Sequence, residues 1–220
     1  MKGVYLVTDR RLCGERGVEF VVAQAAAAGA CCVQLREKHA STRQFIESAG
    51  RMISILAPRN IPLIINDRVD VAMAVGAAGV HVGQSDMPPE TARQLMGPDA
   101  IVGLSVETWE DVKAAQALDV NYLGISPVYA TPTKTDTKKP WGLEGVTRIR
   151  EFSRHPLVAI GGLDASNSGD VIRSGADCIA VVSTICAVPD PYTATVQLRE
   201  TIEKAHREER AGDSRNQGFE

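Results

Sequence analysis

The sequence has no apolar run approaching the roughly 18–20 residues that span a bilayer. Its opening, MKGVYLVTDRR, holds too short an apolar stretch for a secretory signal and reads as a first strand. Positive charge is not in excess either: 24 Lys and Arg stand against 27 Asp and Glu, a formal net charge of −3 with a pI near 5.9. Such a chain has no general attraction for nucleic acid or an anionic membrane, so an anionic ligand has to be held by locally gathered cations. No Cys-x-x-Cys occurs, and Cys13, Cys31, Cys32, Cys178 and Cys186 make an odd set, several of them inside apolar, strand-like runs. Buried reduced thiols are therefore expected, with no disulfide framework or metal role, and the Cys31–Cys32 pair reads as packing. His39, His155 and His206 lack ligand spacing. No low-complexity linker divides the chain, and no G-x-G-x-x-G opens a first helix.

What is present is regular. Hydrophobic residues make up 44% and charged residues 23% of 220 residues, enough for one sizeable core. Short β-branched runs occur at 3–9, 31–37, 61–67, 80–86, 101–106, 121–129, 156–163 and 178–184. Between them lie stretches such as VEFVVAQAAAAGA and TRQFIESAGRMISILA, whose apolar residues recur at the three-to-four spacing of a helix with one buried face. Gly29, Gly79 and Gly175 each shortly precede an apolar run, a place suited to a helix C-cap. Strand, helix, glycine, next strand is the order of repeated βα units. This pattern predicts a single-domain α/β protein, a (β/α)8 barrel over residues 1–206, with an open doubly wound sheet as the alternative. Residues 207–220 lose the apolar face and are expected to form a flexible tail.

In such barrels the C-terminal ends of the strands build the active site, while the other rim serves stability. The stretch PLIINDRVD runs from apolar residues into Asn66 and Asp67, groups that cost on the order of 2–7 kcal/mol to bury unpaired. Other exits are equally polar: Gln34, Arg36, Glu37 and Lys38; Gln84 and Asp86; Ser105; YATPTKTD; Gly161 and Gly162; Ser183. Asp67 and Asp86 end consecutive strands, and a few hard oxygen ligands suit Mg2+ bound mainly through a substrate phosphate. With Arg36, Lys38 and Lys134 they look like a Mg2+-pyrophosphate clamp; surface salt bridges are the alternative. Gly161-Gly162 and Ser183 point to a second phosphate subsite, against a simple tight turn. His81 is ambiguous in direction and reads as structural. Trp109 reads as helix packing.

The motifs QLREK (34–38), INDRVDVA (65–72), GVHVGQSD (79–86), GLS (103–105), TPTK (131–134), AIGG (159–162) and AVVS (180–183), in this order and spacing, closely resemble thiamine phosphate synthase over residues 3 to about 205. The resemblance implies a cytoplasmic TIM-barrel transferase of thiamine biosynthesis. It would join 4-amino-2-methyl-5-(diphosphooxymethyl)pyrimidine to a thiazole phosphate, with departure of pyrophosphate and attack of the thiazole nitrogen on a pyrimidine methylene cation. By motif match, Asp67 and Asp86 would bind Mg2+. Gln34, Leu35, Arg36, Glu37, Lys38, Asn66, Ser105 and Lys134 would contact the pyrimidine diphosphate. Thr131, Pro132 and Thr133, with Gly162, Val182 and Ser183, would contact the thiazole phosphate. Catalysis is expected of Arg36, Lys38, Ser105 and Lys134, and the segment from Ala130 to Trp141 is expected to close over the site. The partners implied are small molecules, without nucleic acid or membrane, and a homo-oligomer is left open. One departure stands out: Glu107 occupies a place where the family usually has histidine. The related thiazole tautomerase and a catalytically silent ligand-binding relative are the competing readings.

Overall fold

A computed structural model describes residues 1–131 and 138–216, with residues 210–216 by their backbone alone. Pro132, Thr133, Lys134 and the rest of residues 132–137, half of the predicted closing segment, lie outside the described residues. The chain starts with β1 (Gly3–Val7), α1 (Arg10–Cys13) and α2 (Gly17–Ala27), then β2 (Cys32–Leu35) and α3 (Thr42–Leu56). Next come β3 (Leu63–Asn66), α4 (Val69–Val75), β4 (Gly79–Val82), α5 (Pro89–Met96), β5 (Ile101–Val106) and α6 (Trp109–Ala115). The last units are β6 (Tyr122–Ile125), α7 (Gly142–Phe152), β7 (Leu157–Ile160), α8 (Ser168–Arg173), β8 (Cys178–Val181), α9 (Ser183–Cys186) and α10 (Pro191–Asn216). All strands pair in parallel in chain order, and β1 closes on β8 through Gly3↔Cys178 and Tyr5↔Ala180. This is the (β/α)8 barrel that the alternation of runs predicts.

Strand alternation separates two apolar layers. Val4, Leu6, Val33, Leu35, Ile65, Val80 and Val82 face the helices, while Tyr5, Val7, Cys32, Ile64, Tyr122, Val158, Cys178 and Ala180 fill the barrel interior. The helices present matching stripes. In α3, Phe45, Ala49, Met52 and Leu56 are buried at helical spacing, and the helix starts at Ser41, which forms a capping box with Gln44. Gly50 lies on the exposed face of α3, and a methyl group there would meet nothing within 4 Å. Gly50→Ala should stabilise the fold by roughly 0.5–1 kcal/mol, read as a higher denaturant midpoint at unchanged slope.

The N-terminal rim is tied by arginines. Arg93 Nη1 donates to the Gly97 carbonyl at 3.2 Å and Arg93 Nη2 to Asn121 Oδ1 at 2.6 Å. Arg150 spans the Ser153 carbonyl at 2.5 Å and the Asp177 carboxylate at 3.1 Å. Trp109 packs as expected, with the Phe152 ring 5.2 Å away and the Arg148 guanidinium 4.0 Å over its face.

Two local expectations change. Gly29 and Gly175 follow α2 and α8 with φ of 95° and 105°, but Gly79 is not a cap. Gly76 ends α4 in the left-handed conformation, and its N–H donates to the Ala72 carbonyl. Gly79 opens β4 for want of room: a Cβ there would lie 2.0 Å from the Ile101 carbonyl oxygen. The last helix also runs to Asn216, past residue 206 where the apolar face fades. Glutamate, lysine and arginine propagate a helix without a buried face, helped by spaced pairs such as Arg199–Glu203 at 3.5 Å and Arg207–Glu203 at 3.9 Å.

Candidate active site

The C-terminal strand ends surround a cavity of about 800 Å³. Gln34, Arg36, Lys38, Asn66, Asp67, Asp86, Ser105, Thr131, Gly162, Val182 and Ser183 all line it, although they come from seven different exits. The side chains of Leu35 and Glu37 do not. Alternation turns Leu35 outward into the helix-facing core. Glu37, with a side chain only 5% exposed, accepts a forked pair from Arg10, Nη2 to Oε1 at 2.5 Å and Nε to Oε2 at 3.1 Å.

The acidic wall begins where β3 stops. Asp67 adopts a φ of 62°, unusual for a non-glycine residue and best tolerated by Asn and Asp, and this turn ends the strand at the rim. Its N–H still donates to the His81 carbonyl at 2.8 Å, so the β3–β4 ladder holds up to the turn. Lys38 Nζ lies 3.2 Å from Asp67 Oδ2, and Asp86 Oδ2 accepts the Gly83 N–H at 2.8 Å. Burial, and then the charge of the neighbouring Asp86, hold the Asp67 carboxyl above the usual carboxylate range, with Lys38 acting in the opposite sense. Arg36 adds a second cation, its Nη1 3.7 Å from Asp9 Oδ2.

The opposite wall is made by the exits of β7 and β8. Asn167 Nδ2 donates to the Gly162 carbonyl at 2.9 Å, and the Thr184 hydroxyl donates to the Leu163 carbonyl at 2.6 Å. A Cβ on Gly161 would lie 2.7 Å from Pro127 Cβ, and one on Gly162, whose φ is 66°, 2.8 Å from the Ala130 carbonyl. The close approach that these glycines permit is therefore to the chain's own 127–130 segment, as in the tight-turn reading, and it shapes the cavity wall as a consequence.

Some lining residues escaped the sequence reading. Tyr5, His81 and Tyr122 face the cavity, with His81 Nε2 2.8 Å from Ser105 Oγ. The signal was present in the triplet Val80-His81-Val82: two valines facing the helices leave the residue between them facing the barrel interior. Glu107 also lines the cavity. The adjoining Asp111 is committed to the backbone, accepting the N–H groups of Glu107 and Thr108 at 3.0 and 2.9 Å. The sulfurs of Cys31 and Cys178 lie 3.8 Å apart near the start of their strands, and all five cysteines are free thiols. No helix among the described residues is long and apolar enough to cross a membrane.

Comparison with known proteins gives this cavity its context. The family model described as thiamine monophosphate synthase matches residues 4–185. The thiamine-phosphate synthase of Albidiferax ferrireducens is 53% identical over 200 residues, covering 91% of each chain. That of Leptospira biflexa is 52% identical over 203 residues, covering 90% of this chain and 97% of its own. In three dimensions, thiamine phosphate pyrophosphorylase from Pyrococcus furiosus superimposes with a TM-score of 0.84 at 35% identity, over 92% of this chain and 96% of the other. With both sequence and barrel matched along nearly their whole length, the chain belongs to the thiamine monophosphate synthase family.

Proposed function

We propose that this chain joins 4-amino-2-methyl-5-(diphosphooxymethyl)pyrimidine to a thiazole phosphate, releasing pyrophosphate and thiamine phosphate. The observation that carries the proposal is one cavity with Asp67, Asp86, Arg36 and Lys38 on one wall, and Gly162, Val182 and Ser183 on the other. A diphosphate against the first wall and a monophosphate against the second would bring the two heterocycles together between them.

The donor set fits Mg2+. Asp67 and Asp86 supply hard carboxylate oxygens, and the charge of Asp86 helps to hold the Asp67 carboxyl above its usual range, a repulsion that a cation relieves. Two carboxylates from this chain would leave the remaining positions of such an ion to substrate oxygens and water. When bound, Mg2+ would neutralise part of the charge of the departing pyrophosphate. Arg36 and Lys38 would add charge-assisted hydrogen bonds to the same group, and Lys134 is assigned there by motif alone. Gln34, Asn66 and Ser105 would orient the pyrimidine. Thr131, together with Pro132 and Thr133 by motif, would hold the thiazole phosphate. The enzyme then needs no covalent intermediate: pyrophosphate leaves, the thiazole nitrogen attacks the pyrimidine methylene cation left behind, and the gain lies in charge stabilisation, alignment and exclusion of water. A cytoplasmic location belongs to the same reading.

The test is pyrophosphate release from the two substrates together, with Mg2+ and with excess chelator. Release that needs both substrates and metal, with thiamine phosphate as co-product, is expected. Tight thiazole phosphate binding without release would overturn the assignment.

A further inference from the structure

Five polar side chains form one continuous row across the barrel, from β2 through β1, β6 and β4 to β5. Gln34 Nε2 donates to Tyr5 Oη at 3.0 Å, and Tyr5 Oη lies 2.9 Å from Tyr122 Oη. Tyr122 Oη is 2.9 Å from His81 Nδ1, and His81 Nε2 is 2.8 Å from Ser105 Oγ. The row has dedicated space. A Cβ on Gly103 would lie 2.1 Å from Tyr122 Cζ and 2.6 Å from His81 Nδ1, and one on Gly124 2.9 Å from His81 Cε1. Neither glycine has the positive φ that would explain its choice by backbone conformation, so both clear room for these rings. The His81 and Tyr122 rings stack at 5.5 Å with 22° between planes, while Tyr5 meets Tyr122 edge-on at 6.0 Å.

The row also has a direction. Both phenols are fully buried, which pushes their hydroxyls well above the ordinary tyrosine value, so each keeps its one hydrogen. The Gln34 amide N–H occupies a lone pair of Tyr5. The Tyr5 hydrogen has the Cys32 sulfur and Tyr122 Oη within reach, and the phenol oxygen, at 2.9 Å, is the stronger acceptor. Tyr122 then has its own hydrogen to give to His81 Nδ1 at 2.9 Å, and an imidazole that accepts there carries its proton on Nε2, facing Ser105. We propose that Tyr5 and Tyr122 are positioning residues that hold His81 as its Nε2–H tautomer, so that Ser105 accepts from the imidazole and turns its own hydroxyl hydrogen to an acceptor atom of the pyrimidine diphosphate. With the opposite polarity Ser105 would spend its hydrogen on His81 and offer only lone pairs to an anionic substrate. The proposal rests on the synthase reading of the cavity.

The test separates the two. In substrate-free protein carrying 15N-labelled histidine, two-bond nitrogen–proton correlations report the tautomer of each ring, and the His81 signals are those lost in His81→Gln. The wild-type ring should show a protonated Nε2 and a bare Nδ1. Tyr122→Phe keeps the ring but removes the hydroxyl. It should abolish the single-tautomer pattern and lower kcat about 10- to 100-fold, with KM for the pyrimidine diphosphate changed less than about threefold. Tyr5→Phe, one bond further from His81, should relax the pattern in the same direction and serves if Tyr122→Phe does not fold. A wild-type proton on Nδ1, an imidazolium, or a tautomer indifferent to both substitutions would overturn the proposal. The expected tautomer and its loss in Tyr122→Phe, in a wild-type protein that makes no thiamine phosphate, would overturn the synthase reading and still support the relay.

Discussion

Asp67→Asn should lower pyrophosphate release by about 10²–10³-fold at saturating substrates and Mg2+, the cost of removing one oriented charge from a transition state that develops charge. The same substitution should make the ligand-free protein harder to melt at neutral pH. The Asp67 carboxyl sits above its ordinary range because of burial and the neighbouring Asp86. A carboxyl whose folded value is raised binds its proton more tightly in the folded than in the unfolded chain. Its ionisation therefore weakens the fold as pH rises through that raised value, and costs nothing below the unfolded value near pH 4. Asparagine keeps the shape without the charge, so the variant should gain melting temperature at pH 7 and lose the advantage by about pH 4. Lys38 loses its partner at 3.2 Å, but its side chain is 50% exposed and water takes over at little cost. Activity and melting curves of the two proteins, taken side by side, distinguish a lost catalytic charge from a damaged fold. Equal activity, or a variant that melts earlier at neutral pH, would remove Asp67 from the proposed clamp.

Gly79→Ala is expected to be the most damaging small substitution in the barrel. The added methyl would sit 2.0 Å from the Ile101 carbonyl oxygen and 2.7 Å from the carbonyl carbon, both backbone atoms of the neighbouring strand. Gly79 and Ile101 are register partners, and the Ile101 N–H is engaged by the Ala78 carbonyl at 2.9 Å, so neither strand can retreat alone. Overpacking of this kind costs about 3 kcal/mol. For a domain of this size that is a fall in melting temperature of roughly 6–12 °C. The same glycine-to-alanine change at Gly50 is expected to act in the opposite sense, and the contrast between them isolates the contact from the loss of glycine as such. A loss below about 1 kcal/mol at Gly79 would mean that β4 and β5 do not abut as described.

The two sites also show where reading the sequence succeeds. Eight strands were legible because β-branched runs and helical spacing are local patterns, imposed on each segment by the need to bury one face. The polar exits were legible for the same reason: an apolar run that ends in Asn66-Asp67 or Gln84-Ser85-Asp86 has to meet either solvent or a site. Gly79 was misread as a cap because its neighbour across the sheet, Ile101, is invisible locally, while the true cap, Gly76, lies three positions earlier. The Gly161-Gly162 pair reads in the sequence as either a ligand approach or a tight turn, and the chain atoms that a Cβ there would meet belong to residues 127–130. Glu37 looked like part of the site because it shares a motif with Arg36 and Lys38, yet alternation hands it to Arg10.

By itself, then, the sequence determined the number and order of the βα units, the polarity of the exits, and the pairing of Asp67 with Asp86 on adjacent strands. Those follow from local burial and chain order. Only the closed barrel decided which interior groups meet across it: Tyr5 and Tyr122, 117 positions apart, touch because the sheet curves back on itself until β1 and β6 face each other over a shared interior. No periodicity encodes that contact, since it depends on curvature and register summed over every strand between them.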